Sequence, residues 1–253
     1  MPLPHGRGII VCTYTEEFML EVKGTLARLL AQEDLIVEHR QVETAQFDVE
    51  RRVLTLPLWQ KAGTEILDML IAHEVGHALY TPNNWDHIGS VPQSYVNVIE
   101  DVRIEKLMKR RYAGLPKTFY NGYQKFAEQD FFQLRGRETE ELCLADRINL
   151  HYKVGSFEDI YFTEEEQVFV DAANNVETFE DVIELAKLIA KYDREQKESD
   201  SSQTPTDAQT EMPSGSEQST QLSLDEELDN TEGEQENSEP KPQSQDQDQS
   251  ELS

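Results

Sequence analysis

Cysteine is nearly missing from this chain. Cys12 and Cys143 are its two examples in 253 residues, too few for a disulfide framework and too far apart for a metal-type pair. Positive charge is scarce as well: 23 Lys and Arg face 50 Asp and Glu, a formal charge of −27. With no basic stripe to neutralise phosphates, nucleic acid is not an expected partner. Long hydrophobic runs are lacking, so no segment is expected to span a membrane, and Met1 to Arg7 has no apolar stretch of the secretory kind. These absences point to a reducing, cytoplasmic setting.

The acidity is unevenly spread. Glu195 to Ser253 holds 17 acidic residues against 2 basic, with no aromatic residue and only isolated Leu and Met. Such a segment buries too little apolar surface to offset the entropy of ordering it. The expected organisation is therefore one domain over 1–194 and a disordered acidic tail over 195–253. The first part is long enough for a single core.

Hydropathy patterning sketches an α+β, mostly helical fold with a small N-terminal sheet. Ile9-Ile10-Val11-Cys12 reads as a short strand or docked terminus. From Thr15, a helical pattern puts Phe18, Leu20, Val22, Leu26, Leu29 and Leu30 on one apolar face. Leu35–Val42 alternates as a strand does. Arg52–Leu56 reads as a second strand, ended by Pro57, and Val53-Leu54-Thr55-Leu56 is the candidate edge for holding an extended peptide by strand addition. A helix is expected from about Thr64. After a turn-rich loop, Ser90 N-caps another, with Gln93 completing a capping box and Gly114 and Pro116 as stop signals near Tyr112. Further helices are expected over 117–134, 139–153, 163–174 and 178–193.

The helix from Thr64 contains His73-Glu74-Val75-Gly76-His77. Residues four apart share a helix face, so both imidazoles can reach one ion, and Glu74 beside them can hold a water. Two histidines and a carboxylate base at this spacing are the zinc-peptidase arrangement. A charged or polar triplet on an otherwise apolar helix is costly unless it has a partner.

Catalytic zinc takes three protein ligands and keeps one open position. Downstream candidates for the third are Asp86, His87, Glu100, Asp101 and Glu105. Glu100 sits on a helix able to pack antiparallel to the motif helix, three residues after Asn97 and just before Asp101. His87 stands ten residues past His77, a spacing that does not fit the histidine-ligand pattern. Tyr80, Tyr95, Arg103 and His151 are candidate donors to an oxyanion. Asp146, five residues before His151, is placed to orient that imidazole.

The pair His73–His77 and Asn97-Val98-Ile99-Glu100-Asp101-Val102-Arg103-Ile104-Glu105 resembles the glutamate-type zincins. More narrowly it resembles a metallopeptidase-like domain of tailed phages and bacteria, often joined to a von Willebrand A-type domain and related to cobaltochelatase-subunit-like proteins. The resemblance covers roughly residues 45–155. It implies zinc on His73, His77 and Glu100, with Glu74 as general base, His151 assisting, and Asp101 and Asn97 as outer partners. It also implies a polypeptide substrate, and a partner ATPase or A-type domain protein where the domain does not act alone. The chain departs from the pattern in ending on an acidic tail where an A-type domain would stand.

Overall fold

In the computed structural model, residues 8–58, 63–85 and 88–202 are described. Helix α1 (Gly8–Ala31) opens them. Ile9–Cys12, expected as a strand or docked terminus, lies inside this helix. No proline interrupts the run, and a helix once nucleated adds a hydrogen bond per residue. The face that α1 buries is also not the expected one. Lys23, Gly24, Ala27 and Ala31 are buried, whereas Phe18, Val22 and Leu29 are 58%, 43% and 71% exposed. Small residues explain the choice: a Cβ built on Gly24 would touch Val37 of the sheet at 3.6 Å, so the helix lies close on its glycine-alanine side. Buried Lys23 reaches across to Asp68.

The sheet holds β1 (Ile36–Arg40), β2 (Gln46–Asp48) and β3 (Val53–Pro57) in the order β1-β3-β2. β1 runs parallel to β3 with Val37 opposite Leu54, and β2 runs antiparallel with Phe47 opposite Leu54. The strand expected to offer a free edge is thus the central one. Both its edges are hydrogen-bonded, so a peptide cannot add at Val53–Leu56. Leu54 and Leu56 are fully buried, which explains why the most apolar strand sits in the middle.

α2 (Thr64–Tyr80) packs on α1, the sheet and two later helices, and buries Ile66 and every residue from Met69 to Ala78. A helix apolar around most of its girth is a core helix. α3 (Gln93–Arg111) lies against it. Its N-cap is Pro92, with no side-chain cap, so the Ser90–Gln93 capping box does not form. Proline's fixed φ suits the helix entrance without help from a hydroxyl. α3 ends at Arg111, close to the expected Tyr112, and Pro116 sits in the first turn of α4 (Leu115–Glu128). α4 crosses α2 so closely that a Cβ on Gly122 would fall 2.3 Å from Met69 Cβ.

A 3-10 turn (Thr139–Glu141) leads to α5 (Leu144–Val154), α6 (Glu164–Asn175) and α7 (Phe179–Ser202). α6 carries a full capping box between Thr163 and Glu166. The first turn of α5 is capped from afar: Leu144 N donates to Asp193 of α7 at 2.8 Å. α7 continues eight residues beyond the boundary placed at 194, because Glu195, Gln196, Lys197 and Glu198 are all good helix formers. The remainder of the acidic segment expected to be disordered, 203–253, lies outside the described residues. No helix among them is long and apolar enough to cross a membrane.

Two apolar clusters result. One joins α1, the sheet, α2, α4 and the C-terminal ends of α3 and α5; the other joins the rest of α3, the start of α5, α6 and α7. They meet along α2 and α3, and the buried polar residues gather there. Close approach is possible because position 76 is glycine: a Cβ there would stand 3.1 Å from Ile104 Cδ1 and 3.2 Å from Met108 Cγ.

Candidate metal centre

α2 turns His73 and His77 to the same side, one helical turn apart, with Nε2 atoms 3.3 Å from each other. Asp101 of α3 completes the group. Its Oδ1 stands 3.5 Å from His73 Nε2 and 3.3 Å from His77 Nε2. These three residues, all buried, form the one group among the described residues with three potential ligand atoms clustered for a metal ion. Glu74, 1% exposed, lies beside them on α2, and its charge favours a protonated His73.

Each of the three is held from behind. His73 Nδ1 lies 3.1 Å from Glu105 Oε1. Lys109 and Tyr123 also bind that carboxylate, and although burial works the other way, Lys109 and His73 bring its pKa down to about 2. His77 Nδ1 lies 2.9 Å from Thr81 Oγ1, and Thr81 donates its hydroxyl proton to Glu100 Oε1 at 2.6 Å. Arg103 clamps both oxygens of Glu100, each at 2.7 Å. Asp101 Oδ2 accepts from Lys153 of α5 at 2.6 Å. Burial alone would raise the Asp101 carboxyl, but Lys153 and the two imidazoles hold it well below the usual carboxylate range.

The outer partners favour one place for the proton of each neutral ring. Ionised Glu105 can only accept, so His73 carries its proton on Nδ1. Thr81 has given its own proton to Glu100, so its oxygen accepts from His77 Nδ1. When both rings are neutral, both Nε2 atoms present lone pairs, and they face each other and the anionic Asp101 Oδ1. That oxygen makes no hydrogen bond among the described residues. Three buried electron pairs directed at one point repel unless a cation sits between them. Two imidazoles and one carboxylate are a donor set that zinc accepts, and the outer Nδ1 partners fix each ring as ligating histidines require. Without a metal, a proton can take the place of the cation. Burial opposes charge on His73, yet Asp101 and Glu105 overcome it and raise its pKa.

Glu100, expected as the third ligand, does not face the imidazoles. Adjacent helix positions diverge by about 100°. With Asp101 turned to α2, Glu100 points to Thr81 and Arg103 and acts on His77 through the threonine. Asp101, expected as an outer partner, is the carboxylate grouped with the two imidazoles. Asn97 is buried a turn before Asp101 but hydrogen-bonds to neither imidazole. His151 is not at the centre: Lys153 faces Asp101, and a residue two positions earlier lies about 200° around the helix. His151 packs edge-on against Tyr152 and Phe162, and burial lowers its pKa. Arg103 is committed to Glu100, and the Tyr95 hydroxyl, its pKa raised by burial and Asp193, belongs to the α3–α7 contact. Asp86 and His87 lie outside the described residues.

Thr81 and Lys153 were not expected. Thr81 had a local signal, standing four residues after His77 at the C-cap of α2. Lys153 had none, being 52 residues from Asp101 in sequence. A cleft of about 320 Å3 opens on the outer side of the centre, with Asp101, Glu105 and Lys153 among its lining and Lys106, Lys109 and Tyr152 on its walls. The imidazoles and Glu74 do not line it.

Compared with known proteins, the chain matches no family model, no curated protein and no solved structure.

Proposed function

We propose that this chain is a zinc-dependent hydrolase of peptide bonds, with His73, His77 and Asp101 holding the ion and Glu74 as general base. The observation that carries the reading is the convergence of three buried potential ligand atoms, His73 Nε2, His77 Nε2 and Asp101 Oδ1, in a frame whose sequence also supplies the base. Zinc held there by His73, His77 and Asp101 would supply Lewis acidity, which makes water a nucleophile at neutral pH.

The chain's own residues do the rest. Glu74 accepts the proton of the attacking water at its carboxylate and passes it to the departing amine. Glu105 and Thr81 keep both imidazoles in the ligating tautomer, and Lys153 keeps Asp101 ionised with one oxygen free. The enclosing apolar clusters exclude bulk water, which strengthens every one of these interactions.

A second reading has its own support. His73 is fully buried and Glu74 nearly so, and the cleft reaches the centre only behind Asp101. A closed site of this kind suits a structural zinc in a scaffold module that works with a partner protein, such as an ATPase or A-type domain protein. One experiment separates the two: zinc content by elemental analysis, and cleavage of a broad peptide library, for wild type and Glu74→Gln. The hydrolase reading expects one zinc in both proteins and chelator-sensitive cleavage in wild type alone. Zinc in both with cleavage in neither favours the scaffold. No zinc in wild type overturns both.

A further inference from the structure

The face of α1 opposite its buried side remains unexplained by the metal centre. Phe18, Val22, Thr25 and Leu29 recur at spacings of four, three and four and are all exposed, and a shallow groove runs along them. A 4-3-4 spacing places residues in one seam on a helix, the pattern by which two helices pack side by side. Met19 and Leu26 flank the seam on one side, Glu21 and Arg28 on the other. An exposed stripe of Phe, Met, Val and Leu on a chain this rich in charge requires an occupant.

We infer that this stripe is a self-association surface, on which α1 of one chain pairs antiparallel with α1 of a second copy. The flanking residues select both the partner and the direction. Antiparallel pairing about a two-fold axis puts Phe18 against Leu29 and Val22 against Thr25 of the other copy. It also brings Glu21 to Arg28 and Met19 to Leu26, each contact occurring twice. Parallel pairing would set Glu21 against Leu26 and lose both ion pairs. Arg28 is able to take part: its Nε donates to the Leu35 carbonyl at 2.9 Å and stands 3.5 Å from the fully exposed Asp34 carboxylate, while its terminal nitrogens make no hydrogen bond among the described residues. The side chain is 40% exposed. From Phe18 to Leu29 the seam runs about 16 Å, short for a helix pair, so the dimer is a micromolar one rather than a permanent one.

Sedimentation velocity on the full chain, from low to high micromolar concentration, tests this. Wild type should move from monomer to dimer across the range. Leu29→Glu and Val22→Glu should each weaken association at least roughly tenfold, because a symmetric contact counts every change twice. Circular dichroism and melting temperature should stay at wild-type values, since neither side chain is in the core. Glu21→Arg should weaken the dimer and Arg28→Glu should do the same, while the two together restore it. A chain that is monomeric throughout, a dimer indifferent to both Leu29→Glu and Val22→Glu, or a double charge exchange weaker than either single one overturns the inference. Arg28 also binds the Leu35 carbonyl; should Arg28→Glu lower the melting temperature, the two apolar-to-Glu variants decide alone.

Discussion

Lys153 and Asp101 form the most enclosed lysine or arginine ion pair of the chain's described part: Nζ lies 2.6 Å from Oδ2, with the side chains 2% and 1% exposed. Taking two charges out of water costs several kcal/mol per ion, and a pair so deep pays only when both ends have further work. For Asp101 that work is evident. One oxygen is held by the lysine and the other faces the Nε2 atoms of the two imidazoles.

Removing the lysine should therefore hurt folding. Lys153→Met leaves a buried carboxylate without its cation, and urea unfolding of the metal-free protein should show a loss of about 3 kcal/mol or more. Added zinc should recover part of that loss, because the ion neutralises the same carboxylate. Equal losses with and without zinc would detach Lys153 from the centre.

Asp101 and Glu100 should be distinguishable by titration with zinc. Asp101→Asn removes a ligand and should weaken binding by well over a hundredfold. Glu100→Gln disturbs His77 only through Thr81 and should cost roughly 10–100-fold at most. If Glu100→Gln is the more damaging change, the geometry of α3 is misassigned by one residue.

Zinc binding should depend on pH with a definite sign. Metal displaces the proton that His73 holds when the site is metal-free, and that imidazole's pKa is raised above its ordinary 6.5. In the metal-free chain, His73 contributes stability that is fully present below pH 6.5 and is lost as pH rises through the raised value. Zinc should show the opposite trend. The rise in melting temperature on adding zinc should grow as pH climbs through and beyond 6.5, then level off. Glu105 and Asp101, both depressed, lose their stabilising contribution only at acidic pH, so they leave this window unaffected. A zinc shift that shrinks with rising pH would contradict the proton assignment.

Gly122→Ala should destabilise the chain by about 1–3 kcal/mol, since the added methyl meets Met69 Cβ, which lies next to the backbone and cannot swing away. Thermal unfolding reads this directly. The pair Gly122→Ala with Met69→Ala should recover some of the loss if crowding is its cause.

The centre was partly legible in the chain itself. The spacing of His73 and His77 dictates a shared face whatever the tertiary fold, so that half needs only helical geometry. Which of two adjacent acids follows them depends on the rotation of α3 about its own axis, and that rotation comes from packing against α2, α5 and α7 together. No local pattern reports it. The same holds for α1. Its strongest apolar stripe was expected inward, but the sheet accepts the small residues at 24, 27 and 31 because they permit closer contact. Strand order was illegible for a related reason: β1 reaches β3 with β2 between them in sequence, and a free edge cannot be inferred from one strand's composition. Lys153 illustrates the limit, a single residue whose role exists only because two distant helices touch.

Between the two histidines stand Val75 and Gly76, the two positions the motif leaves unspecified. They are not equivalent in this chain. Val75 is ordinary core filling, and a similar aliphatic residue can replace it. Gly76 works as a spacer gauge. The hydrogen at its α-carbon lets Ile104 and Met108 rest nearly on the α2 backbone, and Asp101 sits one turn earlier on the same helix as Ile104. A single methyl at position 76 would make Ile104 and Met108 give way by a few tenths of an ångström, on the helix that carries Asp101. The reach of the carboxylate is thus set by the smallest side chain in the protein, on the opposite helix.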